Sequence, residues 1–133
     1  MFRNQYLISS NRINNLPDSF TEHPFESLYI YTEANLEYNS ASHHGNQVAI
    51  IGFAVDPFNP RLDNQQLATR LALTGNSLES LADGVGDLSG RFVLLAKGAN
   101  YFVVIPDACA LRRVYFASKH SFPLLVTSSP VKN

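Results

Sequence analysis

Few residues in this chain have the types and spacing that chemistry requires. Cys109 is the single cysteine, two residues after Asp107 and three before Arg112, with Arg113 next. A thiol beside arginines would ionise readily and could act as a nucleophile. The plainer reading, a small buried thiol at a strand turn, is favoured. Asp107 and Arg112 read as an internal ion pair that shapes that turn. His43-His44 offers two imidazoles, yet adjacent side chains point in different directions and no carboxylate partner is obvious. A polar loop is therefore favoured over a metal site. Glu22-His23 is equally bland. Ser9-Ser10 and Ser128-Ser129 have no His and Asp at a recognised triad spacing and read as strand ends. Tyr29 and Tyr31 fall on one strand face, where partial exposure would make a modest contact surface. No Gly-rich phosphate loop is present. On the residues alone, no catalytic, metal-binding or cofactor-binding residue is assigned, and no cofactor is expected.

The elements that would position these groups are clearest between residues 48 and 117. Val48–Val55 is apolar on both faces and reads as a central strand. Asp56–Arg61, with Pro57 and Pro60, reads as a turn. Asp63 is placed to cap a helix over Asn64–Thr74, with Leu67, Leu71, Ala68 and Ala72 on one side and Gly75 as its stop. Ser77 caps a second, short helix whose Leu78, Leu81, Ala82 and Val85 follow helical spacing. Arg91–Ala96 and Tyr101–Pro106 form a hairpin around Lys97-Gly98-Ala99-Asn100, where Gly and Asn accept left-handed backbone angles. A strand at about Arg112–Ala117 is expected to pair next to it. Nearer the N-terminus, Phe2–Ser9 and Leu28–Thr32 read as strands. Asn11–Glu22 reads as a loop, and Glu33–Asn46 as a long mobile loop or irregular hairpin.

Composition limits the function classes. The chain has 133 residues, is 45% hydrophobic and carries a formal net charge of −1. That suits a single domain with a real core. Near-neutral charge argues against nucleic acid or an anionic membrane as a partner. No apolar run is long enough to span a bilayer, and the first residues lack the features of a secretory signal. A single cysteine allows no internal disulfide and no thiolate zinc cluster, which fits a reducing cytoplasm.

The stretch from Leu88 to Phe116 resembles the glutaminase-type domain of asparagine synthetases and other class II glutamine amidotransferases. That family carries L-x-G-x-F, a turn, a strand, and then R-D-x-x-G-x-R-P-L-Y-Y. Leu88, Gly90 and Phe92 match the first part, and Asp107, Leu111, Arg112, Val114, Tyr115 and Phe116 match the second. Ala110 stands for the family's Gly and Arg113 for its Pro. Ala117-Ser118 and Thr127-Ser128-Ser129 resemble the strands that follow. The order of Val48–Val55, two helices and Leu88–Phe92 extends the likeness. The resemblance implies an α+β fold of the N-terminal-nucleophile (Ntn) hydrolase type, a partial or truncated αββα sandwich of antiparallel sheets. Residues 1–133 would form a single glutaminase-like domain, either a short stand-alone relative or the N-terminal part of a longer protein.

The same resemblance implies that the chemistry is lost. The family's nucleophile is a cysteine directly after the initiator Met, whose own α-amine serves as the base; here position 2 is Phe2. The family's N-G-E oxyanion motif falls on Ile51-Gly52-Phe53, which keeps the Gly and replaces both polar residues. Its Arg-Gly-Pro-Asp-type substrate loop is not visible. The expected function is a non-catalytic amidotransferase-like module. It would support an ATP-dependent, amide-forming synthetase (ATP-pyrophosphatase) domain in the same chain or a partner chain. The alternative is an active amidohydrolase or amidotransferase with a different nucleophile, and a third reading is an unrelated α+β domain that shares a hairpin by chance. The full family domain continues past the equivalent of Ser129; if the chain is complete at Asn133, a homodimer is expected to cover the exposed sheet edge or apolar face left by the missing elements.

Overall fold

A computed structural model describes residues 5–26, 28–99, 101–106, 115–117 and 125–127. It is a mixed α+β structure with two antiparallel sheets and two helices. The chain divides into two compact units, Met1–Glu37 with Arg112–Asn133, and Tyr38–Leu111.

The second unit is built on two long strands. β5 (Asn46–Val55) and β6 (Ser89–Lys97) pair antiparallel along their whole length, from Gln47 opposite Lys97 to Val55 opposite Ser89. β4 (Tyr38–His43) flanks β5 and β7 (Phe102–Pro106) flanks β6, so the order is β4-β5-β6-β7. The expectation of a central strand at Val48–Val55 therefore holds. Its side chains are apolar on both faces because both faces are buried. Val48, Ile50, Ala54, Phe92, Leu94 and Ala96 face the helices, while Ala49, Ile51, Val93 and Leu95 on the opposite face are also buried.

The helices form where the sequence places them. α1 (Asn64–Thr74) starts with a reciprocal capping box: Asp63 Oδ1 accepts from the Gln66 amide at 2.8 Å, and the Gln66 side chain accepts from the Asp63 amide at 2.9 Å. Two of the amides left over at a helix start are thereby satisfied. Leu67, Ala68, Leu71 and Ala72 are buried on the sheet. α2 (Leu78–Gly86) is capped by Ser77, whose Oγ accepts from the Ser80 amide. The expected stripe on α2 narrows to Leu81 and Val85; Leu78 and Ala82 are exposed. Two turns present too little surface for a wider stripe, and Gly84 lies so close to Leu71 that a Cβ there would stand 2.8 Å from its methyl.

The first unit holds the second sheet, in the order β2-β3-β1-β9-β8. β1 (Tyr6–Ser9) and β3 (Leu28–Glu33) lie where expected. β2 (Phe20–Phe25) corrects the loop expected over Asn11–Glu22, because its last residues are strand. FTEHPF has apolar residues at its ends alone, and Pro24 disfavours a central strand. As the outer strand against β3 it tolerates Pro24, and Phe25 is fully buried. Of the long loop or irregular hairpin expected at Glu33–Asn46, the hairpin is the one observed, and it is regular: β4 pairs with β5 without a break from Tyr38 to His43. Its two-residue turn, His44-Gly45, has φ of 47° and 85°, the double left-handed pattern of a type I′ turn whose twist suits a hairpin.

The strand expected at Arg112–Ala117 is described over β8 (Tyr115–Ala117) alone; Arg112, Arg113 and Val114 lie outside the described residues. It does not pair next to the β6–β7 hairpin. It pairs with β9 (Leu125–Thr127), which in turn pairs with β1. Neighbours in sequence often pair, but a chain that serves two sheets must leave one for the other.

The β6–β7 turn also differs in its physics. Gly98 does not adopt a positive φ. Its backbone instead passes against the Tyr101 ring, where any Cβ would collide. Asn100 lies outside the described residues. Gly75 ends α1 in a similar way, with φ of −86°. A Cβ there would meet the Leu71 carbonyl at 2.7 Å, and the Tyr101 hydroxyl donates to the Gly75 carbonyl at 2.5 Å. Removing the α1 cap isolates one of these local terms. Asp63→Ala is expected to cost about 1 kcal/mol in urea denaturation, with an unchanged slope because the folded core is unaltered.

Candidate functional site

The end of β5 carries Ile51-Gly52-Phe53. β4 pairs with β5 no further than Ile51, so among the described residues no strand lies beside the outer edge of Gly52–Val55. The side chain of Asn64, at the start of α1, takes that place. Its Nδ2 donates to the Gly52 carbonyl at 2.7 Å, and its Oδ1 accepts from the Ala54 amide at 3.1 Å. A carboxamide has the same donor and acceptor as a peptide group, so Asn64 acts as one residue of a missing strand. It is buried and satisfied at both ends. The next residue repeats the device on β4, where Gln65 Nε2 donates to the Ser40 carbonyl at 2.8 Å.

The backbone here is unusual on both strands. Gly52 has φ of 104° and Gly90 has φ of 117°, angles that residues with a Cβ rarely adopt. Each also comes too close to the facing strand for a side chain: a Cβ on Gly52 would strike the Arg91 carbonyl, and one on Gly90 would strike the Phe53 carbonyl. Between them Phe53 and Arg91 face each other in register, both exposed. Chemically this is a closed arrangement. The Gly52 carbonyl and Ala54 amide are taken by Asn64, Ile51 is buried and Phe53 points an apolar ring outward. Neither flanking side chain can donate to a developing oxyanion.

Beyond β5, Asp56 is buried and binds Arg70 of α1 through Oδ2 at 2.6 Å. Its Oδ1 accepts from the Phe58 amide at 2.9 Å. The Arg70 guanidinium, helped by the Phe58 amide, holds the Asp56 carboxyl below its ordinary value. At the other end of the sheet Asn46 is buried, and its Nδ2 donates to the Ala72 carbonyl and to Asn76 Oδ1. These groups fasten helix to sheet.

Several residues singled out in the sequence can now be placed. Phe2, Asp107, Cys109, Ala110, Leu111, Arg112, Arg113, Ser118, Ser128 and Ser129 lie outside the described residues. His43 and His44 do not point apart as expected. Their rings stack with centroids 3.9 Å apart and planes 17° from parallel, because the left-handed φ of His44 swings its side chain back over its neighbour. Among the described residues no group of three or more His, Cys, Asp or Glu could hold a metal ion. The Tyr29–Tyr31 expectation is corrected at Tyr31, which is 3% exposed. Its hydroxyl donates to Glu22 Oε1 and accepts from the Ile13 amide, and Glu22 also binds Arg12. Arg12 lowers the Glu22 carboxyl below its usual range, and burial raises the Tyr31 phenol. His23 Nε2 lies 2.8 Å from Thr32 Oγ1, and burial lowers its pKa. Ser9 Oγ accepts from the Asn11 amide, a strand-end role like the one expected.

The sequence carries a signal for Asn64 that does not name its partners. Asn64 falls at i−3 and i−4 from Leu67 and Ala68, on the apolar stripe of α1, and a polar residue on such a stripe must find partners once buried.

No protein family, curated protein or solved structure matches the chain.

Two measurements test these roles. Asn64→Leu leaves the Ala54 amide and Gly52 carbonyl unpaired, and is expected to cost about 1–3 kcal/mol. Faster hydrogen exchange at the Ala54 amide is the specific readout; unchanged protection there would show that the clamp carries nothing. Arg70→Met is expected to raise the Asp56 pKa toward its ordinary 3.8, followed by carboxyl NMR titration. A depressed folded-state pKa stabilises above the unfolded value. The stability gap between the parent chain and Arg70→Met should therefore be full above about pH 5 and shrink as the pH falls through the carboxylate range.

Proposed function

We propose that this chain is a catalytically silent module of the glutamine-amidotransferase type, with the Ntn-hydrolase arrangement of antiparallel sheets. It would serve an ATP-dependent amide-forming enzyme of the asparagine-synthetase kind, whose ATP-pyrophosphatase domain lies in the same chain or a partner chain. One observation carries the reading. At the strand position where the resemblance puts oxyanion donors, the side chains are Ile51 and Phe53, and Asn64 consumes the nearest open backbone groups. Phe2 supplies no nucleophile. The order of a long central strand, two helices and the strand bearing Gly90 and Phe92, with Leu88 just before it, lends further support. Among the described residues no helix is long and apolar enough to cross a membrane. Together with the single Cys109, the reading proposes a cytoplasmic setting.

A second copy is the proposed partner for the open side of the helical unit. Among the described residues β7 is the outer strand of its sheet, and Phe102-Val103-Val104-Ile105 carries no charge. Unblunted, uncharged edges pair readily with further strands. The opposite edge is blunted by Gln65.

Activity is the test of the first reading. Ammonia release from glutamine is expected to equal the no-protein blank. Phe2→Cys should not restore it, because a thiol alone leaves missing donors worth roughly 3 kcal/mol each in comparable sites. Turnover by the parent chain, abolished by one substitution, would instead establish an amidohydrolase with a different nucleophile. For the second reading, light scattering across micromolar concentrations is expected to give twice the chain mass. A monomer throughout that range would reject the dimer.

A further inference from the structure

No further inference is drawn: the strongest candidate, the surface patch at the α1–α2 junction where Leu73 and Leu78 are exposed, carries nothing because nothing in the structure shows what covers it.

Discussion

The helical unit depends on one substitution of side chain for strand. β5 outruns β4 by four residues, and a buried strand cannot leave its amides and carbonyls bare. Asn64 meets that demand with a single carboxamide, and Gln65 does the same for β4 one residue later. Both lie in the first turn of α1, so the position of the helix is fixed by hydrogen bonding to the sheet before its apolar stripe is considered. The capping box at Asp63 and Gln66 holds that turn in shape. Asp56 to Arg70 and Asn46 to Ala72 extend the fastening along the helix. Leu67, Leu71 and Leu81 then bury against a sheet whose distance and angle are already set.

The glycines carry a related lesson. Gly52 and Gly90 face the opposite strand so closely that neither position has room for a methyl group, and both hold φ values that disfavour one. Gly75 and Gly98 are needed for proximity alone, and both neighbour Tyr101. The ring of Tyr101 passes over the β6–β7 turn while its hydroxyl closes the end of α1. Tyr101 thus sets the requirement for glycine at Gly98, while at Gly75 the Leu71 carbonyl sets it and the Tyr101 hydroxyl stands close by.

These constraints bear on function. A site that stabilises negative charge needs free donors aimed at an open space. At the end of β5 the available groups are spent on holding the strand to the helix, and the exposed residue is a phenylalanine. Polar side chains elsewhere are likewise tied to one another: Glu22 to Arg12 and Tyr31, His23 to Thr32, Asp56 to Arg70. Their pKa shifts follow from these bonds and from burial.

By itself the sequence determined the elements whose signals are local. Asp63 and Ser77 mark helix starts because a side-chain oxygen three residues before an amide is a cap wherever it occurs. Val48–Val55 is apolar on both faces, which only a central strand can use. The strand pair around Gly98 follows from two β-rich runs and a short gap. Tertiary structure decided the rest. Phe20–Phe25 is a strand because β3 offers it an edge, and Tyr38–His43 because β5 offers another; neither has a pattern that would make it a strand alone. Tyr115–Ala117 leaves the nearby hairpin for β9, a choice made by long-range pairing that no window of sequence contains. The role of Asn64 belongs to both levels. Its place on an apolar stripe shows that it must be bonded, but its partners, Gly52 and Ala54, are set by the distance at which β4 stops short of β5.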